Sequence, residues 1–170
     1  RARYPVEESL TDLGVIDGLG EGVRVRAFRV AEDSNLQFRF KLYRRSLDPV
    51  PLADVVPVLE NMGLKALGEY SYPIRPTGSK EPTWIHEFLL EDPRGADLSF
   101  EEIKGPFEST FEAVWSGRTE SDGFNRLVME LGVGWREAAL IRALCRYRQQ
   151  SGMDPSQAVQ EAALRDHPEV

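Results

Sequence analysis

Two histidines, one cysteine and a short glycine cluster are the residues of this chain most able to hold chemistry. His86 lies in 83–91, which reads as a strand, so its neighbour Glu87 must point to the opposite face. The two cannot work as an acid–base pair, and a packed or surface histidine is expected. His167 sits in the terminal segment, far from His86 in sequence. With a single Cys145 and no His/Asp/Glu group at ligand spacing, the sequence predicts no metal site. Cys145 falls among Ala and Leu on a helix and reads as a small buried residue. The run Gly18-Leu-Gly-Glu-Gly22 invites a dinucleotide reading. That fingerprint needs G-x-G-x-x-G between a strand and a helix. Here the third glycine comes one residue early and a strand follows, so a plain loop is expected. Asp122 reads as a helix cap. No catalytic, cofactor-binding or metal-ligating residue is assigned.

The elements that would position these residues follow from periodicity. Residues 6–20 carry a weak helical pattern, with Leu10, Leu13 and Ile16 three apart. Residues 22–30 read as a β-branched strand whose alternation slips at Ala27, where a bulge is plausible. From Leu36 to Tyr43 alternation is strict: Leu36, Phe38, Phe40 and Leu42 on one face, Gln37, Arg39, Lys41 and Tyr43 on the other. Leu52, Val55, Val56, Leu59 and Met62 mark a helix closed by Gly63, with Pro57 inside it as an objection. Strands are expected over 64–74 and 83–91. A helix then runs from a capping box at Ser99–Glu102 to Gly117, kinked or divided at Gly105-Pro106. Beyond it come helices only: a short one closed by Gly132, one over 135–150, and a last one starting at an Asp154–Gln157 capping box.

This order predicts an α+β fold, a four-stranded antiparallel sheet with two helices on one face and a C-terminal helical extension. It is a ferredoxin-like arrangement with its usual last strand moved to the front, and with a right-handed crossover through the 52–62 helix. The expected divisions are an N-terminal segment 1–21, an α+β domain 22–117 and a helical motif 118–170.

Composition sets outer limits. The 170 residues are 41% hydrophobic and 29% charged, ordinary for a globular chain. A net charge of −7 argues against general affinity for nucleic acid or anionic membranes. No apolar run approaches the ~20 residues that span a bilayer. The start, Arg1-Ala2-Arg3-Tyr4-Pro5, lacks Met and a signal-like apolar stretch and reads as a cut inside a longer chain. The lone cysteine fits a reducing cytoplasm. Charge is segregated: seven basic residues against Glu32 and Asp33 lie between Val23 and Arg45. On the open polar face of the sheet, Arg24, Arg26, Arg39, Lys41 and Tyr43 would then form a docking face for an acidic surface, on another subunit or another domain of the same chain. The less favoured alternative, a small RNA-binding ferredoxin-like domain, needs aromatics on that open face. The alternation sends Phe38 and Phe40 to the core instead.

Several stretches, in order, resemble the large-class bacterial NAD-specific glutamate dehydrogenases. They are Phe40-Lys-Leu-Tyr-Arg44, Leu52-Ala-Asp-Val-Val-Pro-Val-Leu-Glu-Asn-Met-Gly-Leu64, Trp84-Ile-His-Glu-Phe88, Phe111-Glu-Ala-Val-Trp115, Asp122-Gly-Phe-Asn-Arg-Leu-Val128, Gly134-Trp-Arg-Glu137 and the 142–150 helix. The resemblance implies ACT-type modules followed by helical motifs, ahead of a catalytic domain lying elsewhere. It further implies a parent that oxidises glutamate to 2-oxoglutarate and ammonia with NAD, in a homo-oligomeric cytoplasmic assembly. This segment itself would be inactive and without cofactor. Under that reading Asp122 and Asn125, near Arg126, could form a polar cluster. The segment is also similar to a general ACT module, which makes Ser46, Asp48, Val50 and Leu52 the candidate effector loop, for an amino acid. Modules that bind amino acids usually have a glycine there, and this loop has none.

Overall fold

The alternation of the strongest strand is realised to the residue. The computed structural model describes residues 6–94, 99–153 and 156–167, apart from the side chains at 6 and 165. Its strands are β1 (Val23–Phe28), β2 (Gln37–Arg45), β3 (Lys65–Ile74) and β4 (Thr83–Glu91), in sheet order β1-β2-β4-β3 with every neighbour antiparallel. Phe40 lies opposite Phe88 and Lys41 opposite Glu87, so Phe38, Phe40, Phe88 and Leu90 share one face while Lys41 and Glu87 share the other. β1 pairs with β2 without a register shift, which corrects the bulge expected at Ala27. Val23, Val25 and Ala27 hold the core face throughout. Phe28 goes to the other face, beneath the Arg26 guanidinium at 4.5 Å and the Lys41 ammonium at 5.2 Å. The sheet's irregularity lies in β3 instead, between Ala66 and Gly68.

One face of the sheet is covered by α2 (Leu52–Asn61) and α3 (Phe100–Trp115). Phe38 and Phe40 are fully buried there, each 5.2 Å from Phe107 in an edge-to-face arrangement, and Phe40 meets Phe111 at 4.7 Å. Val55, Val58, Leu59 and Met62 form the inner stripe of α2, whereas Leu52 stays 45% exposed. Both helices run unbroken through their prolines, so Gly105-Pro106 does not divide α3. The reason is energetic. Pro106 forfeits one backbone bond, worth about 1 kcal/mol. Ile103, Phe107 and Phe111 are buried on either side of it, each worth roughly 1.5–3 kcal/mol. The capping box expected at Ser99 is absent as well. Ser99 is the N-cap but its hydroxyl makes no cap bond; its carbonyl accepts the Glu102 and Ile103 N–H groups.

The opposite face is not open. Helix α1 (Val6–Asp17) lies across it, burying Asp12, Ile16 and, just past its end, Leu19. Leu10 and Leu13, which define the apolar spacing in the sequence, are 62% and 47% exposed. Ile16 and Leu19 join Tyr43 and Ile85 in a second, smaller core, flanked by Tyr72 and Ile74. The result is three layers: α1, the sheet, then α2 with α3.

The C-terminal helices build onto the same body. A 3-10 turn (Gly123–Asn125) leads into α4 (Arg126–Leu131), and Gly132 closes α4 at φ 67°. Then come α5 (Trp135–Gln150) and α6 (Gln157–Asp166). Val128 and Met129 of α4 and Ala138 of α5 belong to the main core with Phe107 and Phe111. Helix α6 attaches to α5 through Gln160 Nε2, which donates to the Cys145 carbonyl at 3.3 Å. The start of the capping box expected at Asp154–Gln157 falls outside the described residues. Ser156 is the N-cap of α6, and its side chain makes no cap bond.

Candidate functional site

A strand face carrying Arg26, Lys41 and Tyr43 must bring countercharge or lose the fold, because each unpaired buried ion costs several kcal/mol. Helix α1 supplies it. Glu8 and Asp12 are four residues apart, one turn, and so project onto the same side of α1. Lys41, fully buried, places Nζ 2.7 Å from Asp12 Oδ2, 3.3 Å from Glu8 Oε2 and 3.8 Å from Glu87 Oε2. The first two are hydrogen bonds; the last is a charge contact, and Glu87 Oε2 accepts no hydrogen bond. The Tyr43 hydroxyl donates to Asp12 Oδ1 at 2.6 Å and accepts from Arg26 Nε at 3.4 Å. Arg26 also forks onto Glu8, its Nη1 lying 3.3 Å from Oε1 and its Nη2 closer still to Oε2.

Titration follows this geometry. Burial and the bond to Asp12 push the Tyr43 hydroxyl well above its ordinary range. Burial would raise the Glu8 carboxyl, but the Arg26 guanidinium, with help from Lys41, outweighs it and holds the group below its usual value. A tyrosine that keeps its proton between two ion pairs fixes an interface. The network is adhesive.

The docking face expected from the sequence is therefore corrected as a free surface. Lys41 and Tyr43 are 0% exposed, and the acidic surface that meets them is the chain's own α1. Arg39 stands at the margin, bound to Asp33 at 3.1 Å and to Glu87 at 3.0 Å. Arg24 alone of the five is exposed, on the outer strand opposite Tyr43. The signal for this cover was present. Glu8, Asp12, Ile16 and Leu19 are spaced four, four and three, which is one helix face with a polar and an apolar end.

The candidate effector loop is locally tied. Ser46 Oγ donates to the Asp48 carbonyl at 2.6 Å, and Asp48 is exposed. Val50 is buried and its N–H donates to His86 Nε2 at 3.1 Å, while Leu52 opens α2 at the surface. His86 is 1% exposed, with Nδ1 2.9 Å from Glu69 Oε1. Since Val50 can only donate, the imidazole proton belongs on Nδ1, facing Glu69. Sequence reasoning expected a packed or surface His86 on a strand but missed its part as the anchor of this loop, which rests on a contact 36 residues away.

Asp122 is both cap and cluster member. Its carboxylate accepts the Phe124 N–H at 3.1 Å, and Asn125 returns the bond to Asp122 N at 2.8 Å, a reciprocal capping box. The cationic partner is Arg142, not the neighbouring Arg126. Arg142, 4% exposed, binds Asp122 through Nε at 2.7 Å and Nη2 at 2.8 Å. Arg126 instead packs its stem against Gly63. The glycines at 18–22 lead into β1, so no helix N-terminus stands there to receive a pyrophosphate. Among the described residues no three His, Cys, Asp or Glu side chains could hold a metal together. No described helix is long and apolar enough to cross a membrane.

Comparison with known proteins finds two family matches in succession along the chain. Residues 22–103 match the family described as glutamate dehydrogenase, ACT3 domain, and residues 119–170 match glutamate dehydrogenase, helical motif 3. An NAD-specific glutamate dehydrogenase of Halomonas elongata is 34% identical over 172 residues, covering 100% of this chain and 10% of the relative. The Pseudomonas aeruginosa protein of that name is 36% identical over 134 residues, 79% of this chain and 8% of its own length. The one from Mycobacterium tuberculosis is 34% identical over 125 residues, 69% of this chain and 8% of its own. The chain thus spans about a tenth or less of the curated relatives it matches.

Proposed function

Because this chain belongs to the NAD-specific glutamate dehydrogenase family, we propose that it is a non-catalytic regulatory and assembly segment of a much longer enzyme. The remainder of that enzyme, in this reading, binds NAD and oxidises L-glutamate to 2-oxoglutarate and ammonia, as a homo-oligomer in the cytoplasm. The observation that carries the proposal is the ordered match to an ACT3 domain and a helical motif, within a tenth of the relatives' length. The geometry supports it. The strongest cluster of charged groups in the α+β layer is spent on holding α1 to the sheet. Assembly has support on the outer side of α5, where Leu140, Leu144 and Tyr147 are 61%, 55% and 66% exposed at helical spacing. The occupant proposed for that stripe is the remaining polypeptide, some nine-tenths of the relatives' length.

The division proposed within the chain is 1–21, 22–117 and 118–170, the middle unit extending through α3 because Phe107 and Phe111 complete its core. A second reading, an amino-acid sensor at Ser46, Asp48, Val50 and Leu52, is favoured by one feature. The loop is anchored at Val50 through His86 while Leu47 and Leu52 beside it stay 71% and 45% exposed.

The test is to assay the chain alone with glutamate and NAD, and to measure the mass and rate of the longer enzyme carrying Leu140→Lys and Leu144→Lys. No turnover by the chain, with altered assembly or rate in the variant enzyme, is expected. Turnover by the isolated chain would overturn the assignment, as would an unchanged variant. Calorimetry against single amino acids decides the second reading; flat traces reject it.

A further inference from the structure

Where α3 gives way to the 3-10 turn, the connecting residues and the facing side of α5 enclose a cleft of about 460 Å³. Three guanidiniums line it, from Arg118, Arg142 and Arg146. Two carboxylates answer them. Asp122 takes the buried Arg142, and Glu120 takes Arg146, with Oε1 2.7 Å from Nη1. Arg118 pairs with no carboxylate among the described residues; its Nε donates to Ser116 Oγ at 2.9 Å, and its guanidinium lies over the Trp135 ring. An excess positive charge is thus held in a concave site on a chain whose net charge is −7.

A second feature points the same way. Arg142 is nine-tenths buried and lines the cleft, and its Nη1 donates only to Thr119 Oγ1, at 3.2 Å. A guanidinium nitrogen carries two hydrogens, so Nη1 can offer a second donor to a ligand in the cleft. The Glu120–Arg146 pair at the mouth is exposed on both sides, 56% and 45%, and pairs of that kind hold weakly in water. It can open.

We propose that this cleft binds a small oxyanion, a phosphate or the carboxylate of an organic acid, on Arg118, Arg146 and the spare Nη1 donor of Arg142. The forked guanidiniums suit either group, since both present paired oxygens. On binding, the anion takes the place of the Glu120 carboxylate on Arg146. Because the cleft joins residues 117–120 to α5, occupancy also ties the α+β layer to the helical unit.

The experiment is calorimetric titration of the chain with inorganic phosphate and, separately, with succinate, at ionic strength held constant by sodium chloride. Saturable binding is expected, weakened about tenfold or more by Arg118→Gln, which removes one charged fork from an exposed residue. Ala143→Phe, which fills the cleft from an exposed position on α5, should abolish it. Binding of phosphate alone identifies a phosphoryl ligand; binding of succinate alone identifies an organic acid. No saturable heat with either probe overturns the proposal. Binding unchanged in Arg118→Gln overturns it too, and that variant decides the matter should Ala143→Phe fail to fold.

Discussion

Lys41 Nζ lies 2.7 Å from Asp12 Oδ2, joining a strand and a helix 29 residues apart with the lysine fully buried. In water such a pair would contribute little. Here the pair sits in the seam between α1 and the sheet, where removing one partner leaves the other charge buried.

Asp12→Ala takes from the buried Lys41 its nearest carboxylate in the seam, and from Tyr43 its acceptor. The expected loss of stability is about 3–5 kcal/mol, read by urea unfolding. The double variant Asp12→Leu, Lys41→Met should recover most of it, because an apolar pair of similar volume carries no desolvation cost. If the double variant is as unstable as Asp12→Ala, the pair does more than cancel its own charge.

The apolar spacing of α1 separates two classes of leucine-like residue. Leu10→Gln and Leu13→Gln, on the exposed side, should change stability by less than about 0.5 kcal/mol. Ile16→Ala, in the small core with Tyr43 and Ile85, should cost roughly 2–4 kcal/mol. Equal effects at all three positions would mean that α1 packs through another face.

Stability should respond to pH at two carboxylates of opposite sign. Glu8 is held below its ordinary value of 4.5, so its contribution is present above that value and is lost as pH falls through the depressed one. Glu108 is raised, first by burial, although it accepts the Ala27 N–H at 2.6 Å. Its contribution is complete below 4.5 and declines as pH rises through the elevated value. Glu108→Gln keeps an oxygen for Ala27 without the charge. The expected outcome is equal or greater stability at neutral pH, with the decline above 4.5 removed. Thermal midpoints of the variant and the parent across that range check the sign.

Asp122 combines two effects that two substitutions can part. Asp122→Asn keeps a side-chain oxygen for the Phe124 N–H and should lose mainly the ion pair with Arg142. Asp122→Ala loses both, adding about 1 kcal/mol for the cap. Denaturant midpoints that are the same for the two variants would remove the cap from the account.

The sequence by itself determined the sheet and its apolar side. Alternation in β2 and β4 admits one register with Phe38, Phe40, Phe88 and Leu90 inward, because a slip by one residue would turn all four to the opposite face. The glycine stops after α2 and α4 and the cap at Asp122 were legible for the same reason: each is fixed by a few neighbouring residues. What covers the polar side was decided by tertiary structure alone. Leu10 and Leu13 suggested an apolar face for α1, yet the face that docks is Glu8, Asp12 and Ile16, since its partner surface is cationic at one end and greasy at the other. Arg142 found Asp122 twenty residues earlier in the chain, and His86 found Val50 across 36. Local periodicity records which residues of one element agree with each other. It holds no information on which charge of a distant element they will neutralise, and that pairing is set only when both elements leave water together.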